Sequence, residues 1–175
     1  MKVIFLDVDG VLNNSYTFSD INYEIMYGYG RRVEIEDEKV EFLKQIVDAT
    51  DAKIVLSSSW RTFFHKYNEK DIVPIFEKGL ELKNKLENHG LEIYDLTGFD
   101  YNGNRENEIR AYLEKHDDIS GFLIIDDCMD DVNGLFSDKT IRTKFYGLNR
   151  GNLGLTEKHI PIAIDILNRK VLIKK

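Results

Sequence analysis

Four residues, Val3, Ile4, Phe5 and Leu6, run without a polar interruption straight into Asp7-Val8-Asp9-Gly10. A short apolar run of strand-favouring residues is how a strand buried on both faces of a parallel sheet reads. Ligands of open α/β sheets bind at the ends of such strands, where the crevice opens. Two carboxylates placed there repel each other and lose solvation, so they call for an offsetting charge. Hard oxygen ligands at this spacing suit Mg²⁺. The competing reading is a plain strand-end turn, since Asp-Gly is ordinary turn chemistry.

The pattern recurs. Lys53 to Leu56 reads as a second buried strand and runs into Ser57, Ser58, Ser59, Trp60 and Arg61. Phe122 to Ile125 reads as a third, ending in Asp126-Asp127 with Asp130-Asp131 behind. Between them the spacing predicts a helix from a cap at Asp37 through Thr50, with Val40, Leu43, Ile46 and Val47 inward. It also predicts mainly helix over 62–90, broken near Pro74 and Gly79, a short strand over 91–96, and a helix from Arg105 to His116. An edge strand around Ile141 to Phe145, a final helix from Thr156 to Asn168 and a short strand over 171–173 complete the reading. Strands alternating with helices imply an α/β, Rossmann-like three-layer fold, a mainly parallel sheet with helices on both faces. Acids at the ends of two separate strands meet if those strands are neighbours.

A chain of 175 residues fits one domain, 1–175, with one large core. The stretch 14–32, rich in Tyr and Gly, is long for a plain connection and reads either as a flap over the acidic strand end, with Arg31 and Arg32 able to reach an anion, or as a surface insertion with both arginines solvated. A net charge of -7 argues against duplex nucleic-acid binding driven by phosphate electrostatics. The lone Cys128 excludes an internal disulfide and fits a reducing compartment; it reads as a buried, inert thiol. No apolar run reaches the length of a membrane span and the N-terminus enters a strand directly, so a cytoplasmic protein is expected. His65, His89, His116 and His159 lack metal-ligand spacing and read as surface or packing residues.

Together these parts spell a phosphoryl-transfer site. One carboxylate attacks phosphorus to form an acyl phosphate, and a second protonates the leaving group and later activates water. A cation neutralises the crowded charge, while a hydroxyl and a fixed positive side chain hold the phosphoryl oxygens. Trp60 and Arg61, directly after the serines, line the substrate entrance in this reading, although Trp60 serves equally as a core residue.

The order DVDGVLN, serine cluster, basic residue and LIIDD resembles that of the haloacid dehalogenase-like (HAD) phosphohydrolases along nearly the whole chain. The resemblance implies Asp7 as nucleophile and Asp9 as acid/base. It implies Ser57 or Ser58 as the phosphate-binding hydroxyl, with the run of serines leaving the register open. Arg105 falls at the position of the basic residue, usually a lysine, with Lys115 and Lys83 as alternatives. Asp126 and Asp127 then join Asp7 and Asp9 at Mg²⁺. An acid at position 9 favours phosphate-ester hydrolysis or transfer over dehalogenation. More narrowly, SSSWR, the Arg105 helix, LIIDD and Gly154-Leu155-Thr156 resemble the capless HAD domains associated with Swiss Army Knife RNA repair proteins. The absence of a large cap implies an open site for a phosphate on something large, such as an RNA or DNA end or a protein; a nucleotide is a further candidate partner. The expected activity is a Mg²⁺-dependent phosphomonoesterase. The alternatives are a phosphotransferase using the same intermediate and a non-catalytic phosphate-binding module.

Overall fold

The computed structural model describes residues 1–17, 34–68, 71–128 and 136–169. Five parallel strands form the central sheet: β1 (Lys2–Leu6), β2 (Lys53–Leu56), β5 (Ile93–Leu96), β6 (Gly121–Asp126) and β7 (Thr140–Arg142). Their order is β5-β2-β1-β6-β7, so β1 is central and β6 is its neighbour. A separate antiparallel hairpin joins β3 (Phe64–Lys66) to β4 (Ile72–Pro74). Four α-helices are described: α1 (Asp37–Thr50), α2 (Glu77–Asn88), α3 (Arg105–Lys115) and α4 (His159–Asn168).

The alternation of side chains along the strands sorts the core into two layers. Ile4, Leu6, Ile54, Leu56, Leu123 and Ile125 face the larger cluster, covered by Val40, Leu43 and Ile46 of α1, Leu82 and Leu86 of α2, and Ala163, Ile166 and Leu167 of α4. Val3, Phe5, Val55, Phe122 and Ile124 face the other way, against Ile109 and Tyr112 of α3. Phe5 meets Tyr112 and Phe122 edge to face, at centroid distances of 5.5 and 6.0 Å. Burying Phe5 completely contributes about 2 kcal/mol. The apolar strands therefore have no solvent face, which is why they show no polar alternation.

Several expectations shift. The 62–90 segment is not mainly helical: a 3-10 turn (Ser59–Phe63) leads into the hairpin, and helix begins only at Glu77. Gly79 does not break that helix but lies inside it, where a Cβ would sit 2.5 Å from the Phe63 carbonyl oxygen, so the position calls for glycine for packing. Helix α1 does start at Asp37, but Glu36 occupies the cap position and makes no side-chain cap hydrogen bond. Glu36 instead accepts from Asn14 Nδ2 at 3.1 Å and from Arg150 at 2.9 Å, tying two loops to the helix start. The last helix begins at His159, with Thr156 one turn upstream accepting the His159 N–H on its carbonyl at 2.9 Å. Arg31, Arg32 and most of the 14–32 stretch, Asp130-Asp131 and the 171–173 strand lie outside the described residues. No helix among the described residues is long and apolar enough to cross a membrane.

Candidate active site

Register builds the site. Leu6 pairs with Leu56 of β2 on one side and with Ile125 of β6 on the other. The next residues of the three strands, Ser57, Asp7 and Asp126, therefore stand in a row at the C-terminal edge of the sheet. The ladder continues through them: Ser57 N–H donates to Leu6 O at 2.9 Å and Asp7 N–H to Ile125 O at 3.0 Å. Asp7 shares the parity of Val3 and Phe5, the face that α3 covers.

Asp7, Asp126 and Asp127 each offer a carboxylate oxygen within 4.8 Å of the others. The first two are buried and the third is half-buried. Arg105, the first residue of α3, directs one guanidinium nitrogen at both Asp7 Oδ1 and Asp126 Oδ2, each at 3.4 Å. Burial, and next the charge of Asp126, hold the Asp7 carboxyl well above the ordinary carboxylate range; Arg105 and a hydrogen bond with Ser58 pull the other way. Asp127 is also raised, chiefly by burial, with Asp9 adding to it. One arginine thus leaves the acid group under-compensated, and oxygen donors this close together suit a hard divalent cation. Asp7, Asp126 and Asp127 can hold a metal ion.

Gly10 makes room for this group. Its φ of +74° is one that only glycine adopts freely, and a Cβ there would lie 2.5 Å from the Asp127 carboxyl. Gly154, at φ +65°, backs the same loop from outside, where a Cβ would meet the Val11 carbonyl oxygen at 2.7 Å. Leu155 N–H donates to that carbonyl at 2.8 Å, so the Gly-Leu-Thr segment buttresses the loop after β1.

Asp9 points elsewhere. Its two carboxylate oxygens accept from Asn13 Nδ2 at 2.8 Å and Trp60 Nε1 at 2.9 Å, and it is not one of the three clustered acids. Asn13 in turn accepts the Gly10 N–H at 2.9 Å, closing the loop on itself. Trp60 is a buried ring packed edge to face on Phe63, as the core reading expects, and its indole N–H makes the bond to Asp9.

The serines divide the labour. Ser58 caps the 3-10 turn, accepting the Trp60 N–H at 3.3 Å, and also hydrogen-bonds Asp7. Ser57 Oγ, in the row of strand ends, is buried with no hydrogen-bond partner among the described residues. Arg61 does not project into the opening: it is buried, donating to Ser58 O at 2.9 Å and to Glu108 of α3 at 2.6 Å. Of the alternative cations, Lys83 pairs with Glu87 at 3.5 Å, and Lys115 lines a groove of about 790 Å³ along β5 and α3. Cys128 is exposed rather than buried, because the chain leaves the sheet at Asp127; its N–H donates to Asp126 Oδ1 at 2.9 Å.

Residues 3–160 match the family described as the HAD domain in Swiss Army Knife RNA repair proteins. The chain belongs to this family. No curated protein and no solved structure matches it. The five-strand parallel sheet with β1 at its centre, and acids at the ends of two adjacent strands, are the core expected of a HAD domain. Among the described residues the hairpin β3–β4 is the only strand pair added to that core between β2 and α2. Asn13 and Glu108 are the site-forming residues that sequence reasoning did not assign, and the bond from Trp60 to Asp9 was not foreseen either. Neither Asn13 nor Glu108 carried a signal of its own, whereas Trp60 was marked by its position directly behind the serines.

Proposed function

We propose that this HAD domain is a Mg²⁺-dependent phosphatase that removes a terminal phosphomonoester from a nucleic-acid end. The observation that carries the reading is the Asp7 carboxylate, held at the end of the central strand beside Asp126, Asp127 and Arg105. Asp7 attacks phosphorus, an aspartyl phosphate forms as the ester P–O bond breaks, and Asp9 gives its proton to the departing oxygen. Asp9 then takes a proton from water, which attacks the acyl phosphate at phosphorus and releases inorganic phosphate and free Asp7. Asp7, Asp126 and Asp127 would hold the cation, which would supply charge neutralisation on the phosphoryl oxygens when bound. Arg105 and the hydroxyls of Ser57 or Ser58 orient those oxygens; Ser57 Oγ, buried without a partner, is the donor in waiting.

The substrate class rests on the family's place in RNA repair proteins and on the absence of a large cap among the described residues. Phe99 and Tyr101 present exposed rings in the loop that leads into Arg105, surfaces on which unpaired bases stack. The acidic net charge favours an end over a duplex track. A reducing, cytoplasmic setting and a single domain over 1–175 belong to the same proposal. The test is phosphate release from RNA and DNA oligonucleotides with 5′ or 3′ phosphates, with and without Mg²⁺, beside a small aryl phosphate. Faster Mg²⁺-dependent release from the oligonucleotides is the expected result. Preference for the small ester would overturn the substrate class, and no release from any ester would overturn the phosphatase.

A further inference from the structure

The buried pair Arg61–Glu108 joins the two halves of the site, and its geometry is poor for stability alone. Glu108 follows Arg105 by one turn of α3 and so shares its face. Arg61 belongs to the 3-10 turn that carries Ser58 and Trp60. Its Nη2 reaches Glu108 Oε1 at 2.6 Å and its Nη1 the Ser58 carbonyl at 2.9 Å. The Asp100 N–H donates to the same Oε1 at 3.1 Å, and Phe99 stacks on the guanidinium at 4.1 Å, closing the pair from solvent. Yet Arg61 Nε and Glu108 Oε2 are both buried without hydrogen-bond partners among the described residues. A pair kept for stability forms the two-bond fork, and an apolar pair often serves a core as well or better. What only this pair provides is a rigid tie from the serine turn, which touches Asp7 and Asp9, to the helix whose first residue spans Asp7 and Asp126.

We infer that Arg61 and Glu108 are positioning residues that fix Arg105 over Asp7 and set the spacing between the serine turn and that cation. The inference rests on the phosphatase reading for its kinetic test and replaces direct substrate contact as the role of Arg61. In the double variant Arg61→Met/Glu108→Met, thermal stability stays near that of the native chain, because no buried charge is left unpaired. Its kcat for an aryl phosphate falls about tenfold or more while KM stays within about threefold. Recovery of native kcat together with native stability would overturn the inference by making the pair merely structural. A large rise in KM with native kcat in Arg61→Met would overturn it in favour of substrate binding. Should the double variant fail to fold, Glu108→Gln, which keeps volume and one acceptor, is read by the same kcat criterion. Should the native chain release no phosphate from any ester, the phosphatase reading falls by itself. The Arg105 Nε–H resonance then decides: shifted or broadened in the variant supports the tie, and unchanged overturns it.

Discussion

Replacing His159 with asparagine isolates one titration that this fold opposes. The imidazole is buried, and its Nδ1 accepts from the Thr156 N–H at 3.0 Å, with the Thr156 hydroxyl at 3.2 Å. A proton on Nδ1 would face a backbone N–H and unmake the start of α4. Burial first, then the nearby charges of Lys158 and Lys39, push the His159 pKa down from 6.5 to about 4. Above pH 6.5 the group is neutral in both states and costs nothing. As pH falls below 6.5 the unfolded chain takes up a proton that the folded chain refuses, so stability is lost until about pH 4, where both are protonated. The gap corresponds to about 3 kcal/mol when complete and to about 2 kcal/mol at pH 5. Asparagine places an amide oxygen where Nδ1 was and does not titrate. Urea unfolding of both proteins at about pH 7.5 and pH 5 should show the native chain losing about 2 kcal/mol more than His159→Asn over that interval. Parallel losses would refute the assignment of the Thr156 contact to a neutral imidazole.

Three further outcomes follow from the same contacts. Gly10→Ala, which strains φ and strikes the Asp127 carboxyl, should weaken Mg²⁺ binding about tenfold or more by calorimetry; native affinity would mean Asp127 is not held by this loop. Asp7→Asn should unfold a few degrees higher than the native chain at neutral pH in chelator, because it removes a desolvated carboxyl set against Asp126, and a lower Tm would contradict that. Trp60→Phe keeps an aromatic ring near Phe63 but removes the donor to Asp9; kcat should drop about tenfold with about 1 kcal/mol lost in stability, and an unchanged kcat would free Asp9 from the indole.

What was readable in the sequence is what burial and strand ends announce locally. β1, β2 and β6 have no solvent face, so their apolar runs and the polar residues after them are conspicuous. That Asp7 and Asp126 meet depends on β1 and β6 being neighbours, which alternation leaves open and the parallel register settles. The hairpin was not legible, because strands of three residues are too short to show a period and Phe63, Phe64, Ile72 and Phe76 mimic helical spacing. Asp9's donors are four and 51 residues away, and the Arg61–Glu108 contact spans 47. An arginine beside a serine cluster reads as a phosphate ligand until the carboxylate that claims it is seen. Cys128 follows a buried strand and reads as part of it, but the chain has already turned outward there.

The central claim, that Asp7 is a nucleophile, is tested most directly by trapping it. The chain would be mixed with an unlabelled phosphomonoester and Mg²⁺, quenched in acid, reduced with tritiated borohydride, which expels the phosphate and leaves labelled homoserine, and mapped by peptide sequencing. Modification at Asp7 in the native chain, absent from Asp7→Asn, is the predicted result. Phosphate release by an Asp7→Asn chain at the native rate, or a label on any other residue, would contradict it.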